Sequence, residues 1–274
     1  MGDGHSEAAP NTRATLAADL AGSGLLAGDT VLVHSSLRAV GRVCGGAMAV
    51  VQALLDVLGP EGTLVVPAMT AGNRDPSTWD PPVPESRWRV IRDTLPGYDP
   101  ATTPSEGVGV VAEQVRTWPG AARSGHPQSS FAAVGAHAAT LMADHRLDCH
   151  LGEASPLAKL AAGGARVLLL GVGYHRVTAF HLAEYRQPDP PYREYACAVA
   201  TPDGRRWLAY RDVGLDDSDF GRLGEDFERD TGVVRHGRVG SAPTRLFPVA
   251  TAVDYAQWWI AANRPAGVRS GRTG

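Results

Sequence analysis

Residues 166–184 read Arg166-Val-Leu-Leu-Leu-Gly-Val-Gly-Tyr-His-Arg-Val-Thr-Ala-Phe-His-Leu-Ala-Glu184. Val167, Leu168, Leu169 and Leu170 form a short apolar run closed by a glycine, the pattern of a strand buried on both faces. Gly171 and Gly173 break the run, and a helical pattern begins near Thr178. Strand, glycine turn and helix in that order form the repeating unit of a layered α/β sheet. In such sheets ligands gather beyond the carboxyl ends of the strands, so the segment after Leu170 is where chemistry is expected.

The same order recurs upstream. Leu16, Ala17 and Leu20 give residues 12–22 a helical apolar stripe. A turn at Gly28-Asp29 leads into a strand at 30–33, a loop at 34–46, a helix at 47–58 and a strand at 63–66, which together read as a βαβ unit. Residues 71–104 are rich in Pro, Asp, Trp and Arg and read as a long loop over a pocket. Helices are expected at 107–117, 137–145, 156–162 and 253–263, the third with Ser155 as N-cap and Pro156 in its first turn. A short strand is expected at 131–134. Residues 192–210 predict two antiparallel strands around Pro202-Asp203-Gly204, and an acidic segment follows at 212–230. The sum is an α/β chain with a single three-layer α/β/α domain at 12–263, a mixed central sheet and an antiparallel extension. Residues 1–11 and 264–274 are expected to be flexible tails.

Composition narrows the function. Of 274 residues 43% are hydrophobic, enough for a full core, and the net charge of -3 argues against a nucleic-acid binder. Cys44, Cys149 and Cys197 are far apart and form no CxxC pair, so neither a zinc site nor a disulfide framework is expected. The start of the chain lacks a signal pattern, and no apolar run approaches the ~20 residues that span a bilayer. A cytoplasmic protein without membrane or nucleic-acid partners is expected, as monomer or homodimer.

Thr178, His181 and Glu184 are spaced i, i+3, i+6, which on a helix brings them to one side. Histidine is the side chain best suited to strip a proton from an ammonium at neutral pH. A carboxylate on the other ring nitrogen fixes its tautomer, and a threonine hydroxyl supports an oxyanion or the ring. The spacing is equally that of an ordinary helix histidine with a local Glu partner. HxxE offers two metal ligands at most, so no metal is expected. His34-Ser-Ser-Leu-Arg38 offers hydroxyls, backbone N–H groups and a cation that suit a pyrophosphate or a pantetheine amide. Ser-Ser after a strand is also ordinary turn chemistry. Neither Gly171-Val-Gly173 nor the run from Gly41 to Gly46 matches a nucleotide-binding fingerprint. His126, held out of the helical region by Pro127, lines either a pocket or a structural loop.

Taken together these segments resemble the aminoglycoside 3-N-acetyltransferases, the antibiotic N-acetyltransferase family that differs in fold from the GNAT acetyltransferases. The resemblance is carried by His34-Ser-Ser-Leu-Arg-Ala-Val-Gly41, Gly45-Gly-Ala47, Gly62-Thr-Leu64 with Pro67, Arg123-Ser-Gly-His-Pro127, Leu168 to Gly171, Thr178-Ala-Phe-His-Leu-Ala-Glu184 and Gly237-Arg-Val-Gly-Ser-Ala242. It implies an antibiotic-resistance enzyme using acetyl-CoA in a ternary complex without an acyl-enzyme. His181 would be the base for the 3-amino group of the 2-deoxystreptamine ring, Glu184 would orient it, and Thr178 would complete the triad. Acetyl-CoA would pass His34, Ser35, Ser36, Leu37 and Arg38, with Thr70, Ser105 and Gly109 nearby. Because aminoglycosides are polycations, acidic residues should line their site. The candidates are Asp75, Asp80, Glu184, Asp216, Asp217, Asp219 and Glu225. Asp75, Glu184, Asp217 and Glu225 are preferred, against a simple solvated acidic face. The rival readings are an acyl-CoA-dependent N-acyltransferase for another amine in natural-product biosynthesis, and a non-catalytic aminoglycoside-binding protein.

Overall fold

A computed structural model describes residues 10–264. In chain order the elements are α1 (Arg13–Gly22), β1 (Thr30–Ser35), α2 (Leu37–Val40), α3 (Gly46–Leu58), β2 (Thr63–Pro67), α4 (Trp88–Thr94), α5 (Val110–Arg116), β3 (Ala122–Arg123), β4 (Phe131–Gly135), α6 (Ala138–Met142), α7 (Pro156–Ala162), β5 (Arg166–Leu170), α8 (Phe180–Tyr185), β6 (Tyr192–Thr201), β7 (Gly204–Val213), α9 (Phe220–Thr231), β8 (Arg235–Val239), β9 (Ala242–Pro248) and α10 (Val249–Asn263).

Seven strands form one mixed sheet in the order β3-β4-β2-β1-β5-β9-β8. β1 runs parallel to both β2 and β5, whereas β4 and β9 are antiparallel to their inner neighbours. Side chains alternate across a strand, and here both faces are covered. Val31, Val33, Leu64, Val66, Leu168 and Leu170 join a core with α1, α3 and α5. Leu32, Val65, Val167 and Leu169 join a second core with α6, α7, α8, α9 and α10. The two cores and the sheet between them make the three-layer α/β/α domain. Burial of each such aliphatic side chain contributes about 1.5–3 kcal/mol.

The antiparallel extension is the hairpin β6–β7, a separate two-stranded sheet. It is latched to the body by two buried amides. Asn73 Nδ2 donates to Ala198 O (2.9 Å) while its Oδ1 accepts from Ala198 N (2.9 Å), and Gln128 Nε2 donates to Ala196 O (3.1 Å).

Several local expectations change. The loop at 34–46 contains α2, capped by the Ser36 hydroxyl. The long loop at 71–104 folds into two 3-10 turns and α4. The helix expected near Thr178 begins at Phe180, and the acidic segment at 212–230 carries α9. β8 and β9 were not expected as strands. β8 is an exposed edge, and its residues Arg235-His-Gly-Arg-Val239 lack apolar alternation. Among the residues expected as tails, 1–9 and 265–274 lie outside the described chain. Asn11 and Arg264 are fixed: Asn11 donates to Val40 O, and Arg264 ion-pairs with Glu184 and Asp219. No helix among the described residues is long and apolar enough to cross a membrane.

Candidate active site

β1 and β5 end in register, with Ser35 beside Leu170, and Ser36 N donates to Leu170 O (2.9 Å). The chain leaves β1 toward α3 on one face and leaves β5 toward α8 on the other. Such a divergence of neighbouring strands opens a crevice at their carboxyl ends. Gly171 adopts φ +69°, and a Cβ there would collide with that of Ala39, so only glycine lets the β5 turn lie against α2.

After a 3-10 turn at Tyr174–Arg176, Thr178 and Ala179 form a tight turn in which His181 N donates to Thr178 O (3.1 Å). α8 then carries His181 and Glu184 on one side. His181 Nδ1 lies 2.7 Å from Glu184 Oε2. Glu184 is 3% exposed, and its other oxygen accepts from Asp216 N (3.1 Å) and Arg264 Nη1 (2.5 Å). Arg264 is held in turn by Asp219, at 2.9 Å from Nε and 2.5 Å from Nη2, and by Asp216 O at 2.7 Å. Burial works against the Arg264 cation, but its bonds to Asp219 and Glu184 prevail and raise its pKa. Phe220, the first residue of α9, packs its ring 4.7 Å from that of His181.

This arrangement sets the tautomer. A carboxylate bonded to Arg264 can only accept, so Nδ1 carries a hydrogen and the lone pair of neutral His181 lies on Nε2. Nε2 makes no hydrogen bond to a described residue, and 11% of the side chain is open to solvent. The ring is thus anchored at one nitrogen and available at the other.

Thr178 lies in the turn before α8, three residues before His181. Its hydroxyl lies 3.4 Å from His34 Nε2, so it links the turn after β5 to the end of β1. Burial, with Arg176 adding to it, pushes His34 down to about 3, leaving a neutral ring.

The other anticipated residues fall into two groups. Ser35, Ser36, Leu37 and Arg38 lie together at the end of β1 and in α2, with Arg38 exposed. Gly109 faces them: a Cβ on it would sit 3.6 Å from Ser35 O. Thr70 is 1% exposed and donates to Pro127 O, while Ser105 donates through N and Oγ to Glu113 Oε2 (3.0 and 2.5 Å). Both hydroxyls therefore hold loops. Asp75 caps a 3-10 turn and forms a bidentate pair with Arg92, 2.8 Å at each oxygen. Asp217 is exposed on the loop that covers Glu184, and Asp80 is exposed in the segment before α4. Glu225 lines a depression of about 380 Å³ with Tyr174, His175, Glu228, Arg229 and Arg245, which His181 does not line.

His126 is a loop residue rather than a pocket wall. It is fully buried, and its Nδ1 accepts from Gln128 N (3.1 Å) and Ser129 N (3.0 Å). Its ring lies tilted against those of His145 and His150, with centroids 4.8 and 4.4 Å away. His150 also bonds Ser129 Oγ (2.7 Å) and the Tyr210 hydroxyl (2.9 Å). Two contributors escaped the sequence reading. Arg264 stands 80 residues from Glu184, and no local pattern announces their contact. Phe220 is in sight only once α9 is recognised. The helical spacing of Phe220, Leu223 and Phe227, all buried, is the signal that would have found it.

The family model described as aminoglycoside 3-N-acetyltransferase matches residues 32–261. Aminoglycoside N(3)-acetyltransferase VIII of Streptomyces fradiae is 40% identical over 266 residues, covering 92% of each chain. The crystal structure of the YokD protein from Bacillus subtilis superposes with a TM-score of 0.91 at 41% identity, covering 93% of this chain and 95% of that one. The binary structure of AAC-IIIb with CoASH superposes with a TM-score of 0.82 at 34% identity, covering 92% and 97%.

Proposed function

The chain belongs to the aminoglycoside 3-N-acetyltransferase family, and from that premise we propose that it moves the acetyl group of acetyl-CoA onto the 3-amino group of a 2-deoxystreptamine ring. His181 acts as general base in a ternary complex. The observation that carries this reading is the His181–Glu184 bond, which leaves Nε2 with the lone pair. Nε2 removes a proton from the ammonium, the freed amine attacks the thioester carbonyl carbon, the C–S bond breaks, the thiolate is reprotonated as His181 gives up its proton, and the new amide nitrogen sheds its remaining extra proton to solvent. General-base assistance of this kind is worth about 10²–10⁴ in rate.

Acetyl-CoA lies along the end of β1. Ser35, Ser36, Leu37 and Arg38 offer polar groups on one side and Gly109 permits close approach on the other, with His34 and Thr178 joining the walls. Thr70 and Ser105 act by shaping these loops. The acceptor lies on the Asp217 side of His181, where Asp217 carries a charge with no ion-pair partner among the described residues. Asp75 is already paired with Arg92 and Glu225 lines the separate depression, so neither meets the reacting amine. One domain of residues 12–263 does all of this, in the cytoplasm where acetyl-CoA is made, and confers aminoglycoside resistance. No metal takes part.

The commitment of Asp75 to Arg92, and of Glu184 and Asp219 to Arg264, reduces the free negative charge and favours, as second reading, an amine with fewer positive charges. One assay separates the two: free-thiol release from acetyl-CoA across an aminoglycoside panel and a set of mono-amines, with the acetylated nitrogen located by NMR. Turnover on aminoglycosides at N3 supports the first. Turnover confined to mono-amines selects the second, and drug binding without thiol release contradicts both.

A further inference from the structure

Arg264 follows the last residue of α10, on the far side of the sequence from α8, yet its guanidinium closes over the carboxylate that holds His181. All three of its nitrogens are engaged, by Glu184, Asp219 and Asp216 O. We propose that Arg264 is a positioning residue: by bridging Glu184 and Asp219 it fixes the Glu184 carboxylate on the His181 Nδ1–H and offsets the negative charge that the ring meets. The proposal rests on the reading of His181 as general base.

The argument is one of charge and burial. An isolated carboxylate that is 3% exposed favours its neutral form, which would donate to the imidazole instead of orienting it. Three donors meet Glu184, from His181 Nδ1, Asp216 N and Arg264 Nη1, and only Arg264 brings a full positive charge. Glu184, Asp216 and Asp219 against Arg264 and Arg193 sum to one negative charge, which the imidazolium neutralises when His181 is protonated. Without Arg264 three carboxylates would remain beside one ring, with Arg193 alone to offset them. They would over-stabilise the imidazolium and hold the base in its spent form to a higher pH.

The surroundings of His181 leave this balance to few groups. Glu184 faces it from its own helix, Asp216 and Asp219 come from the loop before α9, Arg264 comes from the end of α10, and Arg193 of β6 acts on Asp216 and Tyr195. His150, from the segment between α6 and α7, is driven down to about 3 by burial, with His145 and then His181 adding to it, and is neutral in the working range. Tyr195 of β6 is raised above its ordinary value by burial and stays neutral too. Phe220 supplies an uncharged face against the ring. The Arg264 guanidinium carbon also lies 5.8 Å from the Phe220 ring centre, so the cation steadies the phenyl group that packs on His181.

The test compares full-length Arg264→Gln and Arg264→Lys with the parent by thiol release, with kcat/KM measured from pH 5.5 to 9. Arg264→Gln should move the midpoint of the rising limb upward by about 0.5–1 pH unit and lower kcat at pH 7 about 3–10-fold, with the KM for acetyl-CoA within about twofold. Arg264→Lys should keep the parent midpoint and recover most of the rate. A parent-like midpoint in Arg264→Gln, or Arg264→Lys no better than Arg264→Gln, overturns the proposal, because loss of packing alone lowers rate without moving the midpoint. His181→Ala is run beside them: if it retains turnover the reading of the base has failed, whereas a dead His181→Ala with an unshifted Arg264→Gln sinks only the role of Arg264. If the glutamine variant does not fold, ¹⁵N NMR of the parent decides. Two separate Arg264 Nη signals from hindered rotation are expected, and a single averaged signal overturns the proposal.

Discussion

Thr178 Oγ1 stands 3.4 Å from His34 Nε2, so the threonine three residues before His181 joins the turn after β5 to the end of β1. These two strand ends bound the crevice in which donor and acceptor are proposed to meet. Thr178→Ser, which keeps the hydroxyl, should leave kcat/KM within about threefold of the parent, whereas Thr178→Val should lower it about 10-fold, chiefly through a higher KM for acetyl-CoA. Steady-state kinetics on both variants checks this. A loss confined to kcat in Thr178→Val would instead place the hydroxyl at the reacting atoms.

Four buried histidines make the fold sensitive to acid. His34 and His150 are held down at about 3 and His145 at about 4, in each case first by burial, and His126 also lies well below its ordinary range. In the unfolded chain these rings titrate near pH ~6.5. Between that pH and the folded values the unfolded chain binds protons that the folded chain refuses. Stability is therefore full above about pH 6.5 and is lost as pH falls, by up to about 1.4 kcal/mol per pH unit for each ring. Urea midpoints should drop steeply from pH 7 to pH 5, before most carboxylates titrate. A midpoint constant across that interval contradicts the assignment of these rings as neutral.

The fold's layers were legible because the strands write them twice. Val31-Leu32-Val33, Leu64-Val65-Val66 and Val167-Leu168-Leu169-Leu170 are apolar at every position, which only a doubly covered sheet requires. The N-cap of α7 was equally plain, since Ser155 and Pro156 act locally. β8 was not, because an exposed edge strand needs no apolar alternation. At the site, the His181–Glu184 bond follows from helical spacing and was visible. The Arg264 contact depends on where α10 ends in space, which no local rule encodes. The contact of Thr178 with His34 was not visible, because the helix starts two residues later than the pattern indicated and the hydroxyl turns toward β1.

Asp75 should prove structural. Its carboxylate accepts both Arg92 nitrogens and caps Ser77, and the side chain is 19% exposed. Asp75→Ala should cost about 1–2 kcal/mol of stability, discounted for partial exposure, and change the acceptor KM less than twofold. Denaturant titration and kinetics on one preparation check both halves. A large KM change at unaltered stability would return Asp75 to the acceptor site.

Asp217 should behave in the opposite way. It is exposed, forms no ion pair among the described residues, and follows Asp216, whose N–H binds Glu184. Asp217→Asn should raise the KM for a polycationic aminoglycoside about 3–10-fold at low salt, with the difference shrinking at high salt as screening sets in. Melting temperature should be unchanged. An equal KM in both proteins at low salt removes Asp217 from the acceptor site.

The central claim is that the imidazole held by Glu184 takes the proton. Its most direct test is thiol release by His181→Ala, with acetyl-CoA and an aminoglycoside that the parent protein acetylates, at matched melting temperature. The account predicts a fall of about 10²–10⁴-fold in kcat with both substrates still bound. A variant that folds like the parent and turns over within a few-fold of it would contradict the account.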